Sequence, residues 1–305
     1  MTSLLQSWER AAAHEHASFA GTYRYLLSDA SQLPINAAPW QRLVQGGGVV
    51  NLLAGQPEST NPEVCALLCE YHAPHVGALL ERHLERRPFA FIALVSAYPL
   101  ADLAPRLGVR TRVALPDHRD GLLRFYDAAV FQTLASALSA ARWQALLSPC
   151  VSWTYVRRDG AIGVEQHPRR RERIFYPRVE RCELRALQRG NRVDAVLGEL
   201  RRHGRIAVDA DPFVIYREMV ALFALLDEQM QSDHTTHEQL AYRLGALMSM
   251  YPGTSLEDPA IAGFIVDAIG CYRNDFDALC ELVHDGIAGR HAQPAVHAAE
   301  AEIRR

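Results

Sequence analysis

Phe89-Ala90-Phe91-Ile92-Ala93-Leu94-Val95 is an unbroken apolar run of strand length. A run of this kind, with no polar face to give to water, fits a central strand covered on both sides. The segments around it alternate between strand and helix patterns. Leu5, Trp8, Ala12 and Phe19 fall near helical spacing in an opening amphipathic helix. Thr22 to Leu27 and Val49 to Leu53 read as strands, the second after the Gly46-Gly47-Gly48 turn. Val76, Leu79, Leu80 and Leu84 mark a helix, and Pro99 opens another that ends at Gly108. Val109 to Leu115 alternates, with Arg110 and Arg112 on a basic face. Leu122 to Tyr126 reads as a strand whose Phe125 and Tyr126 face opposite ways. Asp127 can cap one helix from Ala128 to Ala141, and Val151, Trp153 and Tyr155 alternate in a last strand. An α/β domain follows, a mixed sheet with flanking helices over residues 1–156.

Beyond residue 178 the pattern turns helical. Asp211-Pro212 is a cap followed by proline at the first helical position. Behind it, Ile215, Met219, Leu222 and Leu226 form one stripe and Phe213, Tyr216, Val220 and Phe223 a second. Only Arg217, Ala221, Ala224 and Glu228 form a polar or small line, so this helix should lie at the centre of a bundle. Thr235-Thr236-His237-Glu238 is a capping box. Ile261, Phe264, Ile265, Ala268 and Tyr272, then Phe276, Leu279, Cys280, Val283 and Ile287, repeat the same helical offsets. Residues 179–305 are therefore read as an all-α bundle.

Charge sharpens the division. Residues 157–205 hold 14 arginines against 7 acids, whereas residues 206–305 hold 6 against 16. The near-neutral total of −3 thus hides a basic middle, with residues 157–178 as an Arg-rich linker, and an acidic end. All 32 cations are arginines. Without lysine there is no phosphate loop of the usual kind, no Schiff base and no lysine general base. At 305 residues an ordinary core needs no metal or disulfide staple, and the six scattered cysteines read as reduced, mostly buried thiols. No apolar stretch is long enough for a membrane span, and Met1 to Arg10 lacks the layout of an export signal, so a cytoplasmic location is expected.

The residues that could carry chemistry are sparse. His14-Glu15-His16 reads as a solvated helix face, since neighbours there point about 100° apart. Cys65, Cys69, His72 and His75 have the residue types of a zinc site. Their spacing does not suit it, because four ligands on one short segment rarely reach a single ion; buried cysteines beside surface histidines fit better. Arg169-Arg170-Arg171-Glu172-Arg173, followed by Phe175 and Tyr176, could contact nucleic acid. The interleaved acids and a pI near 6.5 favour a solvated linker instead. A hydrolase would need Ser152 or Cys150 joined to a remote histidine, and nothing in the sequence favours that. No cofactor motif occurs. Arg169, Arg170, Arg171, Arg173, Arg217 and Glu228 remain as candidate partner contacts. A non-enzymatic interaction protein is expected.

Certain segments carry a resemblance. Tyr25-Leu26-Leu27-Ser28-Asp29-Ala30, Ala73-Pro74-His75-Val76, Pro88-Phe89-Ala90-Phe91 and Arg124-Phe125-Tyr126-Asp127-Ala128-Ala129-Val130 follow one another in the first domain. In order and spacing they resemble the bacterial type VI secretion adaptor family of the Tap or TEC type, over about residues 22–156. The closing motif of that family reads Arg-Phe-Tyr-Asp-Pro-Arg-Val; alanines stand here at its proline and second arginine, and Ser28 and His75 also depart from the pattern. The resemblance implies a chaperone that binds a toxic effector and loads it onto the spike protein VgrG, with the second domain helping to choose the cargo. It brings no catalytic residues. Arg124, Phe125, Tyr126 and Asp127 are expected to be mainly structural. The acidic bundle would suit an effector segment that is basic or amphipathic.

Overall fold

The computed structural model describes residues 3–33, 42, 48–60, 65–73, 76–117, 119–167, 178–207, 210–229, 234–251, 255–272, 275 and 277–288. The chain forms two compact units, Met1–Asn191 and Arg192–Arg305.

The first unit is a sheet with helices, as the alternating pattern predicts. Helix α1 (Leu4–Ala17) starts at a capping box between Ser3 and Gln6 and buries Trp8 completely. Strands β1 (Tyr23–Asp29), β2 (Val49–Asn51), β3 (Ala66–Glu70), β4 (Phe91–Ser96), β7 (Ser152–Val156) and β8 (Ile162–Gln166) make one sheet in the order β2-β3-β1-β4-β7-β8. Its pairings are antiparallel, with Leu27 opposite Ile92 and Ala93 opposite Thr154. The apolar run becomes β4 after a 3-10 turn at Pro88–Ala90, and all six of its residues are buried. Strands β5 (Arg112–Ala114) and β6 (Asp120–Leu122) form a separate ribbon, which Arg178 joins through a parallel bridge to Ala114. Helices α2 (Val76–His83), α3 (Leu100–Gly108), α4 (Ala128–Ala137) and α5 (Ala140–Leu147) connect these strands.

An aromatic cluster holds the centre of this unit. The Phe131 ring on α4 stacks on Trp153 at 5.1 Å and meets Tyr155 edge-on at 5.1 Å and Trp143 at 4.9 Å. Gly163 on β8 lies under Tyr155, where an added Cβ would come within 2.6 Å of the ring.

Several local readings change. The helix expected from Ala128 to Ala141 is two helices, because Leu138 and Ser139 leave helical geometry and Ser139 begins a second one. The strand expected at Leu122–Tyr126 stops at Leu122. Leu123 donates to the Thr111 carbonyl and Asp127 closes a turn onto Arg124, and Phe125 and Tyr126 are both fully buried, so neither faces outward. Arg110 is not on a basic strand face. It is buried and donates to the Ala145 carbonyl and Ser148 Oγ. Strands β3 and β8 had no sequence reading, and β8 carries the sheet to Gln166, beyond residue 156.

The second unit is helical. Helix α6 (Arg181–Arg202) begins in the first unit and its later turns belong to the second. There Val193, Val196, Leu197 and Leu200 enter a core with α7 (Pro212–Gln229), α8 (His234–Ser249), α9 (Pro259–Tyr272) and a helix α10 over 277–288. Met219, Leu222, Phe223 and Leu226 of α7 are buried, while Val220 is exposed, so its second apolar stripe is covered only in part. The helix expected after the capping box already includes His234. Phe276 and the tail after residue 288 lie outside the described residues.

Candidate functional site

The two ends of the family-like segment meet at one ion pair. Asp29 ends β1 and is fully buried, while Arg124 follows β6 in the turn that leads into α4. Arg124 Nη2 donates to Asp29 Oδ2 at 2.7 Å and to Ser31 Oγ at 2.8 Å. Asp29 also accepts from the Ser31 amide at 3.0 Å, from Ser31 Oγ–H at 2.7 Å and from Gln32 Nε2 at 3.1 Å. Those donors offset the desolvation of a carboxylate with no exposed side-chain surface. Burial works against the charge on Arg124, but Asp29 and then Asp127 outweigh it and raise its pKa.

Asp127 caps α4, as its position before an apolar helix predicts. Its Oδ1 accepts from the Ala129 amide at 2.9 Å and the Val130 amide at 3.3 Å. Its other oxygen lies 3.6 Å from Arg124. Phe125 packs edge-on against Trp153 at 5.9 Å. The motif is thus a joint: Phe125 and Tyr126 fill the core, and the charged residues on either side tie the start of α4 to the end of β1.

A second polar node lies where α5 and α6 begin. Glu183 is buried and accepts from the Ser139 amide at 3.0 Å and the Glu180 amide at 2.9 Å, and it pairs with Arg142. Burial opposes the charge on Arg142, yet the bond it donates to Glu180 and the field of Glu183 raise its pKa. Glu15, read as part of a solvated face, is buried as well and accepts from Gln166 Nε2 at 2.8 Å.

The candidate metal ligands separate. Cys65 and Cys69 are buried at β3, whereas His72 is exposed and His75 lies outside the described residues. Burial raises both thiol pKa values, that of Cys69 to about 12, which disfavours the thiolate that zinc requires. Among the described residues no group of three or more histidine, cysteine or acidic side chains is placed to hold a metal ion. All six cysteines are unbridged, with Cys182 and Cys271 exposed, contrary to the expectation of mostly buried thiols. Cys150 and Ser152 are buried, and the Ser152 hydroxyl makes no hydrogen bond among the described residues. Arg169, Arg170, Arg171 and Arg173 lie outside the described residues, and Arg217 and Glu228 are exposed on α7.

The helical unit contains an apolar cavity of about 370 Å³. Leu200, Ile215, Met219, Leu222 and Met248 form much of its lining, with Asp211 and Glu218 as its charged residues. Gly245 of α8 also lines it, and a Cβ there would meet Met219 Cε at 2.6 Å.

Residues 24–145 match the family model described as Domain of unknown function (DUF4123). The match begins in β1 and ends in α5, so it contains both Asp29 and Arg124. No curated protein and no solved structure matches the chain. Among the described residues no helix is long and apolar enough to cross a membrane. Asp29, Glu183 and Glu218 received no role from sequence reasoning. The available signal for Asp29 was an acid at the end of an apolar strand, directly before a polar turn.

Proposed function

We propose that this chain is a non-enzymatic adaptor that holds a type VI secretion effector inside the producing cell and helps load it onto the VgrG spike. The observation that carries this reading is the DUF4123 match over residues 24–145, in a family linked to type VI secretion effector adaptors. It coincides with the segment whose motifs resemble the Tap and TEC adaptors. The geometry is in keeping with that role. Arg124, Phe125, Tyr126 and Asp127 serve the packing of the sheet domain, and neither Ser152 nor Cys150 is presented at the surface. The helical unit, with 10 arginines and 18 acids over residues 192–305, offers an acidic surface for a basic or amphipathic cargo segment.

The test is co-purification from the native cell. A tagged full chain should bring down one toxin and a VgrG protein, both identified by mass spectrometry. Recovery of neither, under conditions where both are expressed, overturns the reading.

A further inference from the structure

We infer that the cavity between α6, α7 and α8 is the cargo pocket, and that it takes a bulky apolar side chain from a helix that also carries arginine or lysine. The inference rests on the adaptor reading and adds to it the chemistry of the recognised segment.

Three observations on the same site support it. The cavity, about 370 Å³ and lined chiefly by aliphatic side chains and methionines, has room for a large apolar anchor. Among the described residues of its lining, the two charged ones are both acids. Glu218 accepts from Ser255 Oγ at 2.5 Å and from the Leu256 amide at 2.8 Å, and Asp211 accepts from the Phe213 and Val214 amides at 2.8 and 3.3 Å. These donors are neutral, so they orient the carboxylates without cancelling their charge. Neither carboxylate has a cationic partner among the described residues, although Asp227, Asp277 and Glu199 of the same unit are paired with Arg192, Arg243 and Arg202. The site therefore joins apolar surface to negative charge that no described cation pairs, within a unit whose net charge is −8. An acidic helix would be repelled and an uncharged one would leave both carboxylates without a counter-charge; a cationic amphipathic helix meets both demands.

The test uses the full chain and a synthetic alanine-rich helical peptide of about 15 residues, long enough to form helix on contact. It carries one tryptophan with arginines three and four positions away, and binding is read by fluorescence anisotropy. The arginine peptide should bind. Replacing its tryptophan by alanine should weaken binding about tenfold or more, and replacing the arginines by glutamates should abolish it. In the protein, Glu218→Gln should weaken the arginine peptide about threefold to tenfold and flatten its salt dependence. Val214→Arg, at an exposed residue of the lining, should also weaken it while leaving the melting temperature unchanged. Equal binding of the arginine and glutamate peptides, no binding of the arginine peptide, or an unaffected Val214→Arg protein would each overturn the inference. Effector capture separates this from the wider reading. If Val214→Arg still brings down the effector as well as the wild type does, the pocket is not the cargo site and the adaptor role stands. If the wild type binds the peptide and captures no effector, the adaptor role and with it the cargo assignment fall, while the cavity's preference for a cationic amphipathic helix stands.

Discussion

Asp29 and Arg124 are 95 residues apart in sequence and joined by a 2.7 Å hydrogen-bonded ion pair, one partner fully buried and the other half-buried. The pair fixes the start of α4 to the end of β1, so the last motif of the DUF4123-matched segment is anchored on its first strand. Arg124→Ala would leave the buried Asp29 carboxylate with only its neutral donors. Breaking a fully buried pair costs roughly 3 to 5 kcal/mol, and the partial exposure of Arg124 brings the expected loss to about 2 kcal/mol. Urea denaturation of Arg124→Ala, Asp29→Asn and the double variant checks this. The two single losses should sum to more than the loss of the double variant, because each single variant already removes the shared interaction.

Asp127 caps α4 and lies 3.6 Å from Arg124. Asp127→Ala should cost about 1 kcal/mol and Asp127→Asn much less, since asparagine retains the accepting oxygen. The same denaturation series reads both.

Glu183 satisfies two backbone amides and an arginine from a buried position. Glu183→Ala should therefore lose about 2 to 3 kcal/mol, more than Asp127→Ala, because two backbone amides and a cation lose one buried acceptor together. A loss below that of Asp127→Ala would show that the node is hydrated and of little consequence.

His83 gives a pH dependence. Its ring is buried, its Nε2 has no hydrogen-bond partner among the described residues, and burial, then Arg82, Arg86 and Arg87, lower its pKa. The unfolded chain takes up the proton near pH 6.5 while the folded chain resists it. Stability should thus fall as pH drops below about 6.5, until the lower folded pKa is passed. His83→Gln should flatten the difference between pH 7 and pH 5.5 in thermal melts, where the wild type should be the more sensitive.

These sites differ in how far the sequence disclosed them. Strand β4 was readable because seven consecutive apolar residues leave no solvent face, and α7 because Asp211-Pro212 marks its start. Asp127 was readable because a cap acts on its own neighbours. Strand β3 was obscured because Cys65 and Cys69 were read only as buried thiols, and nothing local marks the segment that pairs between β1 and β2 as a strand. Strand β8 was hidden because its buried position is held by Gly163 while the apolar Val164 faces out; the glycine clears the Tyr155 ring. The break between α4 and α5 escaped a helical periodicity that continues across Leu138 and Ser139. Asp29–Arg124 and the cavity depend on residues far apart in the chain, and no local pattern encodes which distant side chains will meet.

The adaptor account is tested most directly by secretion from a strain lacking this chain. Deletion should stop the export of one particular toxin, with VgrG and unrelated effectors still secreted, and the full chain supplied from a plasmid should restore it. Undiminished secretion of every effector in the deletion strain would contradict the account.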